Sequence, residues 1–388
     1  MKKANLLITG ALSMLMLGSL GSCSDGKVLT DSGLDAAAFD STVNNKPVKL
    51  YVLKNKAGME VAITNFGGRV VSIMVPDRDM KMHDVVLGYD NLKQYTDSVN
   101  SPSDFGAAIG RYANRLKNGK IKIEGKEIQL PVNNFGHTLH GGPSGWQYQV
   151  YDANQVDGQT LELTMNSPDG DNGFPGNVVA KVTYKVTDDN ALDCTYEATT
   201  DKETVINMTN HSYFNLNGDP SVDCLTNELY INSDYWTESD STYMTTGREM
   251  IATGNPMDFH KAHPIADYIG EVGFDQIKNA NGYDHNWILN TYKDGKGDDK
   301  KVAASLYSPI TGIFLQVYTN EPGIQVYTGN FLEGKVQGKH GIAYPQRSGV
   351  CLETQKYPDS PNHPEWPSPY LKPGEKYYSH QVFKFSTK

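Results

Sequence analysis

The sequence predicts an all-β protein that folds as one large antiparallel β-sandwich. The 388 residues include 37 glycines and 23 tyrosines, residue types that favour turns and strands respectively. Apolar and polar residues alternate along many short segments, whereas the spacing typical of amphipathic helices is scarce. No linker rich in proline or serine interrupts residues 45–388, so we predict a single domain over residues 41–388.

The clearest strand signals form a predicted hairpin between residues 178 and 198. Every second residue from Val178 to Val186 is apolar or aromatic, and Leu192 to Ala198 repeats the alternation after the turn residues 187–190. Short helices are expected at Leu92–Tyr95 and Ala262–Gly270, and an exposed hairpin tip at Tyr292–Lys301. Comparable signals predict about twenty or more strands, among them Lys49–Leu53, Glu60–Ile63, Arg69–Val75, Leu161–Met165, Ser305–Tyr307, Ile313–Tyr318 and Gln381–Phe385.

The first residues have the pattern of an export signal. Lys2 and Lys3 precede an uncharged apolar stretch, Leu6–Leu20, which is too short to predict a membrane span. The sequence Leu20-Gly21-Ser22-Cys23 resembles the box of bacterial lipoproteins, in which the cysteine is lipidated and becomes the mature N-terminus. We therefore predict a lipoprotein signal peptide over residues 1–22. The alternative is an ordinary signal peptide that ends near a cysteine.

The segment that follows the signal is predicted to be a tether. Residues 23–40 are mostly small and polar with little periodicity, as expected of a connection to a lipid anchor on Cys23. The protein would then be an exported bacterial lipoprotein, in the periplasm or at the outer membrane, that contacts the membrane through this anchor only. Ser24 after Cys23 favours the outer membrane.

Charge and cysteine content argue against two classes of protein. With 35 basic and 45 acidic residues the formal net charge is −10, whereas a nucleic-acid partner requires clustered Lys and Arg. Beyond Cys23 the chain contains only Cys194, Cys224 and Cys351. An odd number in an exported protein argues against a full disulfide framework, although a single bridge stays open.

Polar residues cluster among aromatic ones in six segments. Signatures of nucleotide binding and of serine or zinc hydrolases do not occur in the sequence. Directional hydrogen-bonding groups beside aromatic faces suit a sugar-like ligand, which presents many hydroxyls and some apolar C–H surface. The segments are Gly110–Arg115, His137–Gly142, Asn207–Leu216, Tyr283–Asn286, Gln325–Asn330 and Cys351–Gln355.

Two of these segments indicate the type of site. His137 and His140 are three residues apart, so in a strand they would point to opposite faces and could not share a metal ion; no metal site is predicted. In the last segment Glu353 would point to the same face as Cys351 and Gln355. Because a buried Glu needs a partner, this carboxylate either lines a cavity or lies on an outer face.

Several of these segments belong to a longer, ordered series of motifs. The series comprises Asn65–Gly68, Val75–Arg78, Gly110–Arg115, Leu139–Gly142, Ser167–Gly170 with Gly173–Asn177, Asn210–Leu216, Asp284–Asn286, Tyr327–Asn330 and Leu352–Gln355. Together, and in this order, the motifs resemble the aldose 1-epimerase, or galactose mutarotase, family over residues 65–385. The resemblance implies the galactose mutarotase-like supersandwich, a β-sandwich of about thirty strands. It also implies an isomerase that interconverts the α and β anomers of free aldohexoses such as glucose and galactose.

The resemblance further implies roles for individual residues. Glu353 matches the general base that takes the proton from the C1 hydroxyl, and His211 matches the general acid that protonates the ring oxygen. Ring opening and closure is redox neutral and transfers no group to another molecule, so no cofactor is expected, and the expected partner is a small aldose sugar. Positions that hold the sugar are matched by Asn114, Arg115, His140, Tyr213, Asp284 and Gln325.

Three other interpretations stay open from the residues alone, as does the oligomeric state. A glycoside hydrolase would use two carboxylates, for which Asp284 and Glu353 are available. A non-catalytic, sugar-binding lipoprotein would keep the pocket without the chemistry. An epimerase for hexose 6-phosphates would need basic residues at the mouth of the site, for which Arg69, Arg78 and Lys117 are candidates.

Overall fold

A computed structural model describes residues 28–101 and 103–388, so the predicted signal peptide and Cys23 lie outside the described residues. Within these ranges the chain forms 31 strands and two short α-helices, α1 (Leu92–Thr96) and α2 (Asp275–Ala280). Short 3₁₀ turns lie at Ala36–Phe39, Lys117–Gly119, Trp146–Tyr148, Asp171–Gly173, Ile265–Asp267, Lys339–Gly341 and Ser360–Asn362. The strands are β1 (Ser41–Val43), β2 (Lys46–Val48), β3 (Leu50–Lys54), β4 (Glu60–Thr64), β5 (Arg69–Pro76), β6 (Met82–Asp84), β7 (Ala108–Ile109), β8 (Arg115–Leu116), β9 (Lys120–Ile123), β10 (Lys126–Gln129), β11 (Thr138–Leu139), β12 (Asp152–Gln155), β13 (Thr160–Ser167), β14 (Val178–Val186), β15 (Ala191–Thr200), β16 (Thr204–Val205), β17 (Thr209–Asn210), β18 (Tyr213–Phe214), β19 (Glu228–Ile231), β20 (Tyr235–Ser239), β21 (Thr245–Ile251), β22 (His263–Pro264), β23 (Asp284–Ile288), β24 (Tyr292–Lys293), β25 (Lys296–Gly297), β26 (Val302–Tyr307), β27 (Ile313–Thr319), β28 (Gly323–Tyr327), β29 (Val350–Gln355), β30 (Tyr370–Leu371) and β31 (Tyr377–Thr387).

Three antiparallel sheets carry most of the longer strands in the described ranges. The largest has nine strands in the order β12-β13-β14-β15-β31-β27-β26-β19-β22. The second has six strands in the order β18-β29-β28-β23-β20-β21, and the third has four, β3-β4-β5-β6. The remaining strands form two-stranded pairs around them. The all-β prediction is therefore confirmed.

The predicted hairpin forms the third and fourth strands of the nine-stranded sheet. β14 and β15 pair from Val178 opposite Thr200 to Val186 opposite Leu192, with the predicted turn between them. The alternate residues of β14 that the sequence identifies as apolar are buried, because they face the core while their neighbours face outward. Every other strand predicted by name is also present, with its ends displaced by a few residues.

One of the two predicted helices is wrong. The first is confirmed as α1, where the side chain of Asn91 accepts a hydrogen bond from the backbone N–H of Gln94 as an N-cap. Over Ala262–Gly270 the chain instead forms the edge strand β22 and a single 3₁₀ turn. Pairing with β19 explains the difference, because His263 and Pro264 lie opposite Leu229 and Glu228 in the sheet. The next N–H, that of Ile265, donates to the carbonyl of Asn227 rather than to a helix.

The main apolar cluster contains residues from all three large sheets. Val182 of β14 and Phe383 of β31 belong to it from the nine-stranded sheet, Trp287 of β23 and Leu352 of β29 from the six-stranded sheet, and Ile73 of β5 from the four-stranded sheet. Each is almost fully buried, and full burial of such a side chain contributes about 1.5–3 kcal/mol. One face of the six-stranded sheet thus packs against this cluster. The alternate residues of its strands lie on the opposite face.

Residues 28–40 differ from the predicted tether. Leu34 and Phe39 are buried in a second apolar cluster, together with Tyr89 and Tyr95. The backbone N–H of Asp31 also donates to the carboxylate of Glu60 at 2.7 Å. Two large apolar residues five positions apart give no periodic signal, so their burial could not be read from the pattern. Residues 23–27 of the predicted tether lie outside the described residues.

The predicted hairpin tip at Tyr292–Lys301 is present as the pair β24 and β25. Its far end is linked to the nine-stranded sheet through His380 of β31. Nδ1 of His380 lies 2.7 Å from Asp299 and Nε2 lies 3.2 Å from Asp193. The hydrogen bonds to Asp193 and then Asp299 raise the pKa of His380 to about 9, so the ring carries a positive charge at neutral pH.

The three cysteines of the described ranges, Cys194, Cys224 and Cys351, are all free and buried. Among the same residues, the helices are too short or too polar to cross a membrane.

Candidate active site

The six-stranded sheet supplies the floor of the candidate site. Antiparallel pairing aligns Tyr213, Cys351, Tyr327 and Asp284 in one row across β18, β29, β28 and β23. Directly paired residues share a face, and this face is opposite to the one that carries Val350 and Leu352 into the core.

Glu353 lies in the next row of the same face. It pairs with Gln325 of β28, which in turn pairs with Asn286 of β23. The alternation predicted for residues 350–355 is therefore confirmed, and of the two positions predicted for Glu353 the structure places it at a cavity.

The remaining polar groups approach from short strands and loops. His211 lies between β17 and β18, while Arg115 and Leu139 pair across β8 and β11 and bring His140 beside Asn114. His140 adopts the left-handed region at φ 50° and the following Gly141 has φ 79°. A Cβ atom on Gly141 would lie 2.2 Å from the carbonyl oxygen of residue 110, so only glycine allows this turn.

These elements enclose a cavity of about 160 Å³. Seven of the eight predicted catalytic and sugar-binding residues line it, which means that the predicted site residues converge. The exception is Gln325, which lies behind the lining and donates from Nε2 to Oδ1 of Asp284 at 2.7 Å. The lining residues are Asp104, Asn114, Arg115, Asn134, Phe135, Leu139, His140, His211, Tyr213, Asp284, Tyr327, Phe331 and Glu353.

Glu353 and His211 face each other inside the cavity. Oε1 of Glu353 lies 3.6 Å from Nε2 of His211, and both side chains are almost fully buried. Oε2 of Glu353 is buried and has no hydrogen-bond partner among the described residues. Burial is the main cause that raises the pKa of Glu353 to about 7, with smaller increases from Asp284 and Asp104; interactions with His211 and Arg115 lower it.

The two histidines of the site have different surroundings. The His211 ring stacks on Tyr213, with centroids 5.1 Å apart, and meets the edge of His140 at 5.2 Å. Nδ1 of His140 accepts the backbone N–H of Asn114 at 3.1 Å, and burial lowers the pKa of His140 well below its usual range. His140 is therefore neutral, with its proton on Nε2. Nδ1 of His211 instead lies 3.5 Å from the sulfur of Cys351.

Arg115 and Asp284 place opposite charges beside this pair. Nη2 and Nε of Arg115 both donate to Oδ1 of Asn134, at 3.0 and 3.2 Å, and its guanidinium lies 5.1 Å from the ring centre of Tyr243. Burial raises the pKa of Asp284, and the charge of Arg115 partly offsets this. A ligand in the cavity would therefore meet a fixed cationic donor and an acidic acceptor.

The sequence reasoning missed part of the lining. Asp104, Asn134, Phe135 and Phe331 lie in loops, where no periodic pattern marks a residue as inward-facing. Phe135 and Phe331 remain more than half exposed and form, with Tyr243, an aromatic rim at the mouth.

The residues considered for phosphate binding do not reach the cavity. Arg69 is fully buried and donates to the backbone carbonyls of Ser103, Phe105 and Gln147. Neither Arg78 nor Lys117 lines the cavity. The three basic residues considered for a phosphate group therefore do not line the cavity.

A divalent cation could find ligands in the site, although none was predicted from the sequence. His140, His211 and Glu353 each offer one donor atom, and these atoms lie within 4.8 Å of one another. His137 does not take part: its Nδ1 accepts the backbone N–H of Asn118, and its Nε2 contacts Thr242.

Comparison with known proteins agrees with this arrangement. The family model described as aldose 1-epimerase matches residues 49–384. The chain belongs to the aldose 1-epimerase family. An aldose 1-epimerase of Escherichia coli (strain K12) is 38% identical over 345 residues, which cover 88% of this chain and 96% of the relative. A galactose mutarotase of Rattus norvegicus is 38% identical over 328 residues, which cover 84% and 91%.

Solved structures of aldose 1-epimerase relatives share the fold. An aldose epimerase homologue from C. elegans superposes with a TM-score of 0.80 at 27% identity and covers 88% of this chain and 99% of its own. A galactose 1-epimerase from Lactobacillus acidophilus NCFM gives a TM-score of 0.76 at 30% identity, with coverages of 89% and 97%. The resemblance inferred from the ordered motifs is therefore confirmed, as is the fold that it implied.

As a member of the aldose 1-epimerase family, the chain has a site suited to proton transfer. A carboxylate and an imidazole lie side by side, both almost fully buried, and the carboxylate keeps free hydrogen-bonding capacity. No observation favours the glycoside hydrolase interpretation, since the near partner of Glu353 is a histidine and not a second carboxylate.

Proposed function

We propose that the protein interconverts the α and β anomers of free aldohexoses such as glucose and galactose. The observation that carries the proposal is the buried pair of Glu353 and His211, 3.6 Å apart in a cavity lined by hydrogen-bonding and aromatic groups. Relatives named aldose 1-epimerase and galactose mutarotase, each 38% identical over most of the chain, support the same reaction.

The reaction needs one proton to leave O1 of the sugar and another to reach the ring oxygen. Glu353 takes the proton from the C1 hydroxyl, the C1 carbonyl forms, and the bond from C1 to the ring oxygen breaks as His211 donates to that oxygen. Rotation about C1–C2 presents the other face of the carbonyl, and the same two residues with exchanged roles close the ring. Each such residue contributes about 10²–10⁴-fold in rate. A carboxyl pKa of about 7 suits a group that must gain and lose its proton in every turnover.

The other lining residues would hold the sugar hydroxyls. Arg115 serves as a fixed donor because it does not deprotonate, and Asp284 serves as an acceptor. Asn114 and the Nε2–H of His140 add further donors, while Tyr213 offers an aromatic surface. Gln325 would act through Asp284, whose orientation it fixes.

Substitution of Glu353 tests the proposal. We expect purified Glu353→Gln to bind galactose by calorimetry but to accelerate the equilibration of fresh α-D-glucose or α-D-galactose at least about 100-fold less than the native protein. Glu60→Gln is a matched control, since Glu60 is also buried but lies outside the cavity. A native rate in Glu353→Gln would show that Glu353 is not the general base. His211→Asn tests the role of His211 as general acid in the same polarimetric assay. A panel of fresh anomers of other aldoses then defines the preferred sugar.

We further propose that the protein is exported and anchored by a lipid on Cys23. The support is the leader sequence: two lysines, the apolar stretch Leu6–Leu20 and the lipoprotein-like box. Expressed in a bacterial host with labelled palmitate, the native chain should incorporate label and fractionate with membranes. Cys23→Ser should incorporate none, while Ser24→Ala should behave as native. An unlabelled native chain recovered after cleavage would instead indicate an ordinary signal peptide.

A further inference from the structure

The thiol of Cys351 occupies a position in the site to which neither the motifs nor the relatives assign a role. It lies two residues before Glu353 on the same face of β29 and is fully buried. Its sulfur is 3.5 Å from Nδ1 of His211, the only hydrogen bond that the His211 ring makes within the described residues. One strand therefore carries both the proposed base and a partner for the proposed acid.

Stacking alone does not fix the orientation of the His211 ring. The contacts with Tyr213 and His140 hold the plane of the imidazole, but they are indifferent to which edge carries the nitrogens. A half-turn of the ring would exchange Nδ1 with a carbon atom and would move Nε2 away from Glu353. The sulfur of Cys351 discriminates between the two orientations, because only a nitrogen at that edge can form a hydrogen bond with it.

His140 illustrates how the hydrogen-bond partner of Nδ1 determines the protonation state of a histidine ring. Its Nδ1 faces a backbone N–H, which can donate but cannot accept, so the ring can only be neutral. A carboxylate at the same position would favour the imidazolium. A thiol sulfur is an uncharged, weak acceptor, so it can accept Nδ1–H from the neutral ring and from the imidazolium alike.

We propose that Cys351 is a positioning residue that orients His211 and keeps its second proton on Nδ1. The Nδ1–H donates to the sulfur of Cys351 in the imidazolium and in the neutral ring alike. Nε2 therefore faces Glu353 and the bound sugar throughout the cycle: it gives its proton to the ring oxygen when the ring opens and takes it back when the ring closes. The inference rests on the proposed function, because it assigns a partner to the acid of that reaction.

Three variants separate hydrogen bonding from packing. Cys351→Ala removes the partner, Cys351→Ser restores a group that both donates and accepts, and Cys194→Ala removes another buried thiol, in the core of the nine-stranded sheet and outside the cavity. We expect Cys351→Ala to lower kcat for α-D-glucose equilibration about tenfold with KM within about twofold, because the acid is misplaced rather than the sugar released. Cys351→Ser should recover most of kcat, and Cys194→Ala should keep it.

A second measurement does not depend on turnover. In protein labelled with ¹⁵N at histidine, neutral His211 of the native protein should be a single tautomer with the proton on Nδ1, and Cys351→Ala should show a mixture. Loss of kcat in both Cys351 variants alike, or an unchanged tautomer and kcat in Cys351→Ala, would overturn the inference. If the native protein itself fails to accelerate equilibration, the proposed function fails, while the ¹⁵N spectra still decide whether Cys351 orients His211.

Discussion

The raised pKa of Glu353 predicts a steep dependence of activity on pH. A base must be ionised in the free enzyme, and kcat/KM reports the pKa of that state. With a pKa of about 7, about a tenth of Glu353 is ionised at pH 6 and about nine tenths at pH 8. We therefore expect kcat/KM to increase about tenfold over these two pH units. At the ordinary carboxyl pKa of 4.5, the base would be almost fully ionised throughout and the profile would be flat.

The assay is the polarimetric rate for fresh α-D-glucose, corrected at each pH for the spontaneous rate in the same buffer. Thermal unfolding at each pH establishes that the protein remains folded across the range. A kcat/KM that is constant between pH 6 and pH 8 would refute the argument that burial holds the base partly protonated.

Asp104 offers a variant that tests the cause of the shift. Its carboxylate lines the cavity and raises the pKa of Glu353, and it has no part in the proposed reaction. Asp104→Asn removes this negative charge with little change in shape, so the rise of kcat/KM should move to lower pH. A midpoint that moves to higher pH would contradict the sign of the electrostatic argument.

Three further predictions concern other parts of the molecule. Because the folded-state pKa of His380 is raised to about 9, its stabilising contribution is complete below about pH 6.5 and is lost as the pH rises through 9. Asp299→Asn should therefore lower the thermal unfolding midpoint at pH 6 more than at pH 10; an equal loss at both would contradict this. Arg115→Lys should raise KM about tenfold or more, since lysine cannot reproduce the guanidinium fork, and an unchanged KM in initial-rate measurements would count against its role. Phe383→Ala should cost about 3–5 kcal/mol in the free energy of unfolding measured with urea; a cost below about 1 kcal/mol would show that the core contact is overstated.

Local patterns predicted the strands well because alternation reflects burial on one face of a sheet. The hairpin of β14 and β15 and the position of Glu353 on the face opposite Leu352 both follow from alternation alone. Pattern could not show that His211, 140 residues before Cys351 in the chain, would lie against the same strand. That convergence was expected only through the resemblance, because long-range pairing leaves no local signal.

The errors have the same physical origin. Leu34 and Phe39 are isolated apolar residues in a polar segment, yet they fill a cluster formed by distant parts of the chain. Phe135 and Phe331 lie in loops whose shape depends on the strands that they connect. At Ala262–Gly270 apolar spacing suggested a helix, but pairing with β19 and the hydrogen bond from Ile265 to the carbonyl of Asn227 decided the backbone.

The alternation along β29 restricts how this protein can change over evolutionary time. Substitutions can adjust either side of the strand independently, since odd and even positions meet different surroundings. Insertion or deletion of one residue within Val350–Gln355, however, would move every later side chain of the strand to the opposite face of the sheet. A charged side chain would then point into the core and an aliphatic one into the cavity. Both the solvent-shielded acid chemistry and the packing beneath would then fail together. Among descendants of this gene we expect length variation to be confined to the connecting loops and to spare this strand.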